Sequence, residues 1–320
     1  MWSIRLFFLC LLQFILTILA VDPEAVYDGG QSSNNAPINL NIGNGGAGQS
    51  GLVKGRYSNI VLVQVKYDTD IAIPALADAF IKSEVDSGSP PFKVAWYKSD
   101  TTVTINYLKA GTVDVGITYS PVAENISIQQ GIAESSYYAF RDHFMLTGPP
   151  SNPANISKSS DIINMFSTLY AAAEAGTSEI PVRFLSRFDK SATNIKEASL
   201  WINIGQVPWA TAYSTWYHQY IAFPIQALTA AIRLNEYTIT DFGTYLSIPR
   251  ALRDQMVIYK KSTDDADDLL LNPAHLLVGT RAKNKDVAKA FAKWLVSKDG
   301  GQKVIKEFEK DGQQLYSPAP

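Results

Sequence analysis

From residue 92 onward the chain alternates short strands with amphipathic helices, and that order restricts its fold more than any other feature. Phe92-Lys-Val-Ala-Trp96 reads as a strand, residues 101–109 as a helix, and Asp114-Val-Gly-Ile-Thr118 as a buried strand. The alternation continues with a strand region at 138–148 closed by Pro149 and Pro150, a helix at 160–175, a strand at 182–185 and a helix at 191–204. Then come a helix at 223–234, strand-like or mixed stretches at 244–248 and 255–259, a strand at 276–280, and two strongly periodic helices at 285–297 and 301–310. A helix between two strands is long enough to carry the chain back parallel, so the pattern predicts an α/β protein with mostly parallel sheets.

The 320 residues suffice for one two-lobed domain or two ordinary ones, and 46% hydrophobic with 18% charged residues is a globular composition. A net charge of −2 offers no basic field to nucleic acid or an anionic membrane. An anion would have to be held by local dipoles and one or two placed cations. Arg5 precedes an apolar run over residues 6–20 ending on Ala20, with Asp22 and Glu24 beyond it. Those are the features of a signal peptide, and the run is short for a spanning helix. Residues 1–20 are therefore expected to be a signal, with an uncleaved anchor as the alternative, and 21–37 a flexible tether, leaving a secreted, extracellular monomer once the signal is cleaved. Asn125-Ile-Ser127 and Asn155-Ile-Ser157 are sequons that suit that route.

The one cysteine, Cys10, falls in the signal, so the mature chain would have no disulfide, thiol nucleophile or cysteine metal site. His143, His218 and His275 lack the spacing of a zinc site and read as surface or packing residues. No nucleophile elbow is present, and no cofactor is expected. Asp264, Asp265, Asp267 and Asp268 form an acidic run without the spacing of a calcium loop, which reads as solvated. Trp201, Trp209 and Trp216 with Tyr213, Tyr217 and Tyr220 could stack a sugar or base, and equally form core or surface.

Two places could hold an oxyanion. Ile38-Asn-Leu-Asn-Ile42 reads as a strand running into Gly43-Asn-Gly-Gly-Ala-Gly48. Backbone N–H groups around Asn44, Gly45, Gly46 and Ala47 could form a nest before a helix opening at Gln49, with Ser50 adding a hydroxyl. The same glycines also suit a tight turn. Gly43-x-Gly45-x-x-Gly48 matches a dinucleotide fingerprint, but the strand at 92–96 does not end in the acidic residue that a ribose needs. The second place is Arg187-x-Asp189-x-Ser191-x-Thr193 after a strand. There Arg187 can grip an oxyanion in two-pronged fashion, and Ser191 and Thr193 would cap the next helix and offer hydroxyls. The alternative is a capped helix with an Arg187–Asp189 pair. Thr118, Tyr119 and Ser120 end a buried strand, where open α/β sheets place ligands. Ser99, Thr101 and Thr102 begin another helix and are weaker candidates.

Residues 55–74 interrupt the helix that should follow the glycine loop. Without these twenty residues, Ser50-Gly-Leu-Val-Lys54 would run into Ala75-Leu-Ala-Asp-Ala-Phe80 as one amphipathic helix. The segment is either an ordinary strand at 59–66 or an insertion, such as a retained short intron.

With that segment set aside, the chain from about residue 38 to 318 resembles the tungstate-binding protein of bacterial ABC importers. Five stretches carry the resemblance: Ser50-Gly-Leu52 continued by residues 75–80; Gly111-Thr-Val-Asp-Val115 through Pro121; residues 144–156 with Gly148-Pro149 and Ser151-Asn-Pro153; Ser186-Arg-Phe-Asp-Lys-Ser-Ala-Thr193; and Glu236-Tyr-Thr-Ile-Thr-Asp-Phe-Gly-Thr244. There are departures. Gly43, Asn44, Gly45 and Gly46 stand where the family has a threonine- and serine-rich loop. Phe188, Ala192 and Asn194 replace Gly, Gly and His, and Phe242 replaces an arginine.

The resemblance implies a two-lobed, type II periplasmic-binding-protein-like fold, with one lobe from residues 38–144 plus 276–320 and the other from 145–275. It implies a non-enzymatic solute-binding protein that closes on a small tetrahedral oxyanion, with tungstate, molybdate, sulfate, phosphate or an organic anion open as ligand. The rival expectations are an extracellular interaction or adhesion module that kept the fold without the ligand, and, more distantly, a hydrolase using Asp189 or Asp241.

Overall fold

The computed structural model describes residues 21–30, 36–44, 72–211, 213–222 and 224–320. The expected signal at 1–20, the site residues Gly45, Gly46, Ala47 and Ser50, and most of the 55–74 segment lie outside the described residues.

Among these residues β1 (Ala25–Tyr27) pairs antiparallel with the outer edge of β3 (Lys93–Lys98), so part of the stretch expected as a tether is an edge strand. Val26 and Tyr27 favour an extended backbone, and Glu24 N–H donates to Trp96 O at 2.7 Å to start the pairing. Within the sheet β2 (Ile38–Asn44) lies between β3 and β4 (Val115–Thr118), parallel to both. Next to β4 runs β10 (Leu271–Gly279), antiparallel, and beyond it β5 (Ala133–Gly148), antiparallel again.

Alternate residues face opposite sides of this sheet. Leu40, Ile42, Val94, Val115, Ile117, Leu276 and Val278 pack in a first core with α1 (Ala72–Asp86), α9 (Lys285–Leu295) and α10 (Gly301–Glu307). The opposite face carries Gly43 and Gly116, which are register partners, and α2 (Thr101–Ala110) lies over them. A Cβ on Gly116 would stand 2.6 Å from Thr104 Cγ2, so the missing side chain is what lets this helix approach. Pro121 occupies the first turn of α3 (Pro121–Gln129), which follows β4 directly.

The sixteen-residue β5 continues past the first core, and its last residues pair with β8 (Thr238–Asp241) and β9 (Val257–Lys261). Parallel strands β6 (Phe184–Ser186) and β7 (Tyr217–Gln219) extend this side, β6 joining it through a bridge from Phe184 to Tyr237. A second core forms here from Phe144, Leu146, Phe166, Phe184, Trp201 and Tyr237, with α4 (Ile162–Ala175) and α5 (Ala192–Asn203) against it. Ala227 and Ala231 of α6 (Pro224–Leu234) cover Leu185 from the other side. Three of the six residues in the aromatic-rich span, Trp201, Trp216 and Tyr217, are buried in the second core, whereas Tyr213 is 94% exposed.

Three further expectations are corrected. The strand pairings among the described residues are mostly antiparallel rather than parallel, only β2–β3, β2–β4 and β6–β7 running parallel. Residues 244–248 are not strand-like but fall largely in α7 (Phe242–Ser247), because Asp241 caps it: Thr244 N–H donates to Oδ1 at 2.7 Å and its hydroxyl to Oδ2 at 2.6 Å. The helix α1 begins at Ala72 rather than Ala75; a proline is tolerated in a first turn, and Ala72 and Ile73 are both buried in the first core. A short α8 (Arg250–Arg253) follows α7, and the chain closes with a β11 (Glu309–Lys310) to β12 (Gln313–Gln314) hairpin and β13 (Ser317–Pro318) on β5.

Candidate functional site

Strand β6 ends on Ser186, and the chain turns through Arg187 to Lys190, which is held at φ 64, before Ser191 caps α5. Ser191 Oγ accepts from Asn194 N–H at 3.3 Å, and Ser191 N–H donates to Asp189 Oδ1 at 3.0 Å. Arg187 is only 4% exposed. Its Nε donates to Asp189 Oδ2 at 3.1 Å, Nη2 forms an ion pair with the same oxygen, and Nη1 lies 3.4 Å from Thr193 Oγ1. These contacts use three of the five N–H groups that a guanidinium carries. Arg187, Ser191 and Thr193 are thus brought together around one turn, and the Arg187–Asp189 pair is real.

Beneath this turn sits Glu197, which is fully buried. It accepts from the Ser186 hydroxyl, from Asn194 Nδ2 at 2.9 Å and from Arg187 N–H at 3.4 Å. Tyr217 OH donates to Ser186 Oγ at 2.9 Å and completes the group. Burial is the largest influence on Glu197 and pushes its carboxyl up to about 7, against the lowering effect of its hydrogen bonds and of Arg187. Reading the sequence for nucleophiles and ligand loops passes over this acid. Its signal was periodicity, since Thr193, Glu197, Leu200 and Trp201 share the buried stripe of α5.

The other candidates lie at the carboxyl ends of the parallel strands. Asn44 ends β2 opposite Lys98 and Ile117, so the start of the glycine loop, Ser99 and Thr118 share one edge of the sheet. Thr118 is wholly buried, and its hydroxyl donates to Glu124 Oε1 at 2.7 Å. Ser120 caps α3 and gives its N–H to the same oxygen at 3.0 Å. Tyr119 packs edge-on against Phe140 at 6.2 Å in the first core. Thr118 and Ser120 are thus tied to Glu124, as Arg187 is to Asp189 and Thr193.

All three histidines contact carboxylates: His143 Nε2 to Asp264 at 2.8 Å, His218 Nδ1 to Glu236 at 2.9 Å, and His275 Nδ1 to Glu124 at 3.0 Å. Asp264, from the acidic run, thus contacts β5 while staying exposed, as Asp265 and Asp267 also are. Two open cavities fall elsewhere: one of about 680 Å³ walled by Arg183, Trp216, His218 and Glu236, the other of about 850 Å³ walled by Tyr245, Arg250, Arg253 and Lys310. Neither includes Arg187. No helix of the described residues is long and apolar enough to cross a membrane.

Comparison with known proteins gives the fold and its superfamily. A solved periplasmic protein, named for metal binding, is 72% identical and superposes with a TM-score of 0.80 over 93% of this chain and 99% of that one. The tungstate-binding protein TupA from Desulfovibrio alaskensis G20 shares the fold, with a TM-score of 0.67 and 22% identity over 89% of this chain and 99% of that one. By sequence, the tungstate-binding protein TupA of Peptoclostridium acidaminophilum is 27% identical over 74% of this chain and 82% of its own. A Haloferax volcanii protein named for anion binding in an ABC transporter is 28% identical over 71% of this chain, and the match spans only 63% of that relative's length. The architecture is the type II periplasmic-binding-protein fold. Residues 63–299 match the family described as PBP superfamily domain, and the chain belongs to that superfamily of periplasmic-binding-like proteins.

Proposed function

We propose that the chain is an exported, non-enzymatic solute-binding protein that captures a small tetrahedral oxyanion between two lobes, one from residues 38–144 with 276–320 and the other from 145–275. The buried guanidinium of Arg187 is the observation that carries this reading. It sits at the entry to α5 with Ser191 and Thr193 beside it and two N–H groups beyond those held by Asp189 and Thr193. A helix entry, a cation and hydroxyls are the donors that an oxyanion needs, and Asp189 and Glu197 keep the net charge low. Asn44, Gly45, Gly46, Ala47 and Ser50, with Thr118, Tyr119 and Ser120 at the same sheet edge, would supply the other half. Capture follows when an anion that contacts both halves favours the closed arrangement. The names of the tungstate-binding and anion-binding relatives support this class of ligand, and the periplasmic relative supports an exported location. Asn125 and Asn155 are both exposed, as glycosylation in a secretory pathway would require.

A thermal-denaturation screen with tungstate, molybdate, sulfate and phosphate tests the reading, since a ligand bound only by the native state raises the melting temperature. A rise of several degrees with one or more anions is expected. No rise with any of them would favour an extracellular interaction module that retains the fold alone.

A further inference from the structure

We propose that Glu197 makes oxyanion capture a proton-linked event, the protein taking up one proton as the anion enters beside Arg187. The inference rests on the oxyanion reading and adds a regulator to it. Glu197 has no exposure to solvent, and its carboxylate oxygens are held by Ser186, Asn194 and the backbone N–H of Arg187. The charged and titratable groups facing it are few. From the turn after β6 come Arg187 and, paired to that guanidinium, Asp189; from β7 comes Tyr217, whose hydroxyl reaches Ser186 and is itself pushed up by burial and by Glu197. From α5 itself the hydrogen-bonding neighbour is the neutral Asn194.

No cation other than Arg187 therefore offsets a negative charge on Glu197. A dianion arriving at Arg187 takes up that same guanidinium and places further negative charge in a poorly screened environment. The arrangement gives way most easily by protonating the carboxyl that is already the more reluctant to ionise; Asp189, by contrast, accepts both a guanidinium contact and the Ser191 N–H. Anion binding and proton binding at Glu197 then favour each other reciprocally.

The test is isothermal titration of the full chain with molybdate between pH 6.5 and 8.5, in buffers of differing ionisation enthalpy, for wild type and Glu197→Gln. Wild type should bind more weakly as pH rises, by up to tenfold per unit, with uptake approaching one proton. Glu197→Gln should bind with a nearly constant Kd and no proton uptake. Binding by wild type without proton uptake, or an equal pH dependence in the variant, overturns the proton linkage while leaving the oxyanion reading intact. Absence of binding by wild type at every pH, with molybdate and with tungstate, overturns both. The wild-type proton count stands by itself should the variant fail to fold.

Discussion

Thr118 donates its hydroxyl to Glu124 Oε1 at 2.7 Å, and the same device recurs in the second core, where Ser186 donates to Glu197. In each case a strand ends on a hydroxyl residue, the chain turns, and an acid on the next helix reaches back to that hydroxyl and to a following N–H, from Ser120 or from Arg187. The acid ties the turn to its own helix, so the residues at each helix entry are held rigidly. Because Thr118 and Glu124 are both buried, Glu124→Ala would strand a hydroxyl and an N–H away from water and leave His275 without its carboxylate. A loss of about 2–4 kcal/mol is expected in urea unfolding. Glu124→Gln, which still accepts, should lose less than half of that.

Glu197 predicts a pH dependence of stability with a definite sign. Its carboxyl is pushed up to about 7 in the fold, well above the unfolded value, so the native state holds its proton more tightly. The contribution is complete below pH 4.5 and is lost as pH rises through about 7, the difference being on the order of 3 kcal/mol. Glu197→Gln should therefore gain on wild type steadily between pH 5 and 8 in the absence of any anion. Parallel curves for the two proteins would mean that Glu197 is ionised in the fold throughout.

Arg187 separates binding from folding. Arg187→Lys keeps the charge yet loses the planar fork that holds Asp189 and reaches Thr193, and should weaken anion binding at least tenfold by calorimetry. Arg187→Ala should weaken it by about 2 kcal/mol or more, and should also lower the melting temperature by leaving Asp189 and Glu197 without their cation. Unchanged affinity in Arg187→Lys would remove the guanidinium from the site.

The paired glycines make a packing prediction. Gly116→Ala would bring a methyl to 2.6 Å from Thr104 Cγ2 and 3.0 Å from Leu108 Cδ1, while Gly43→Ala meets Thr104 only at 3.2 Å. Thr104 is wholly buried and its hydroxyl is 2.6 Å from Ser99 Oγ, so it cannot swing away without giving up that bond. A loss of about 1–3 kcal/mol is expected for Gly116→Ala and less for Gly43→Ala. Thr104→Ser removes the clashing methyl and should restore part of the Gly116→Ala loss in a double-mutant cycle.

The strongly patterned parts of this fold were legible in the sequence. The helix at 191–204 and the strand at 114–118 are found at Ala192–Asn203 and Val115–Thr118, because one has an apolar stripe and a serine cap and the other has no polar face at all. Segments whose state is decided by a single cap or by a partner strand were not. Asp241 turns Phe242–Ser247 into a helix against its own β-branched and aromatic character, and the short Val26 stretch becomes a strand by pairing with Ala95, far along the chain. At the site, Arg187, Ser191 and Thr193 could be found because their spacing in one turn is a local property. Glu197 and Glu124 escaped because their importance comes from burial that the folded helix entry creates, although in α5 an acid among buried Thr193, Leu200 and Trp201 was a visible sign.

Residues 55–74 give the last prediction, which the start of α1 makes quantitative. Deleting them joins Lys54 to Ala75, so Leu52, Val53 and Lys54 take the helical positions of Ala72, Ile73 and Pro74. Ala72 and Ile73 are buried, and Pro74 is not; an apolar pair followed by a lysine suits those positions in turn. Valine for Ile73 should cost about 1 kcal/mol, and leucine at the buried Ala72 position about 1–3 kcal/mol of overpacking. Against that, the connection between Asn44 and the helix shortens roughly fourfold, which returns about 1.2 kcal/mol of loop-closure entropy. The packing costs outweigh that return, so the deletion variant should fold with a stability about 1–3 kcal/mol below wild type by urea denaturation. Its helix would then start straight from the glycine loop, and any anion affinity should rise, since the N–H groups of Gly45 to Ala47 would be fixed by an unbroken first turn. A variant that unfolds would assign residues 55–74 to the fold itself, and a variant that folds with weaker anion binding would place ligand contacts within the deleted segment.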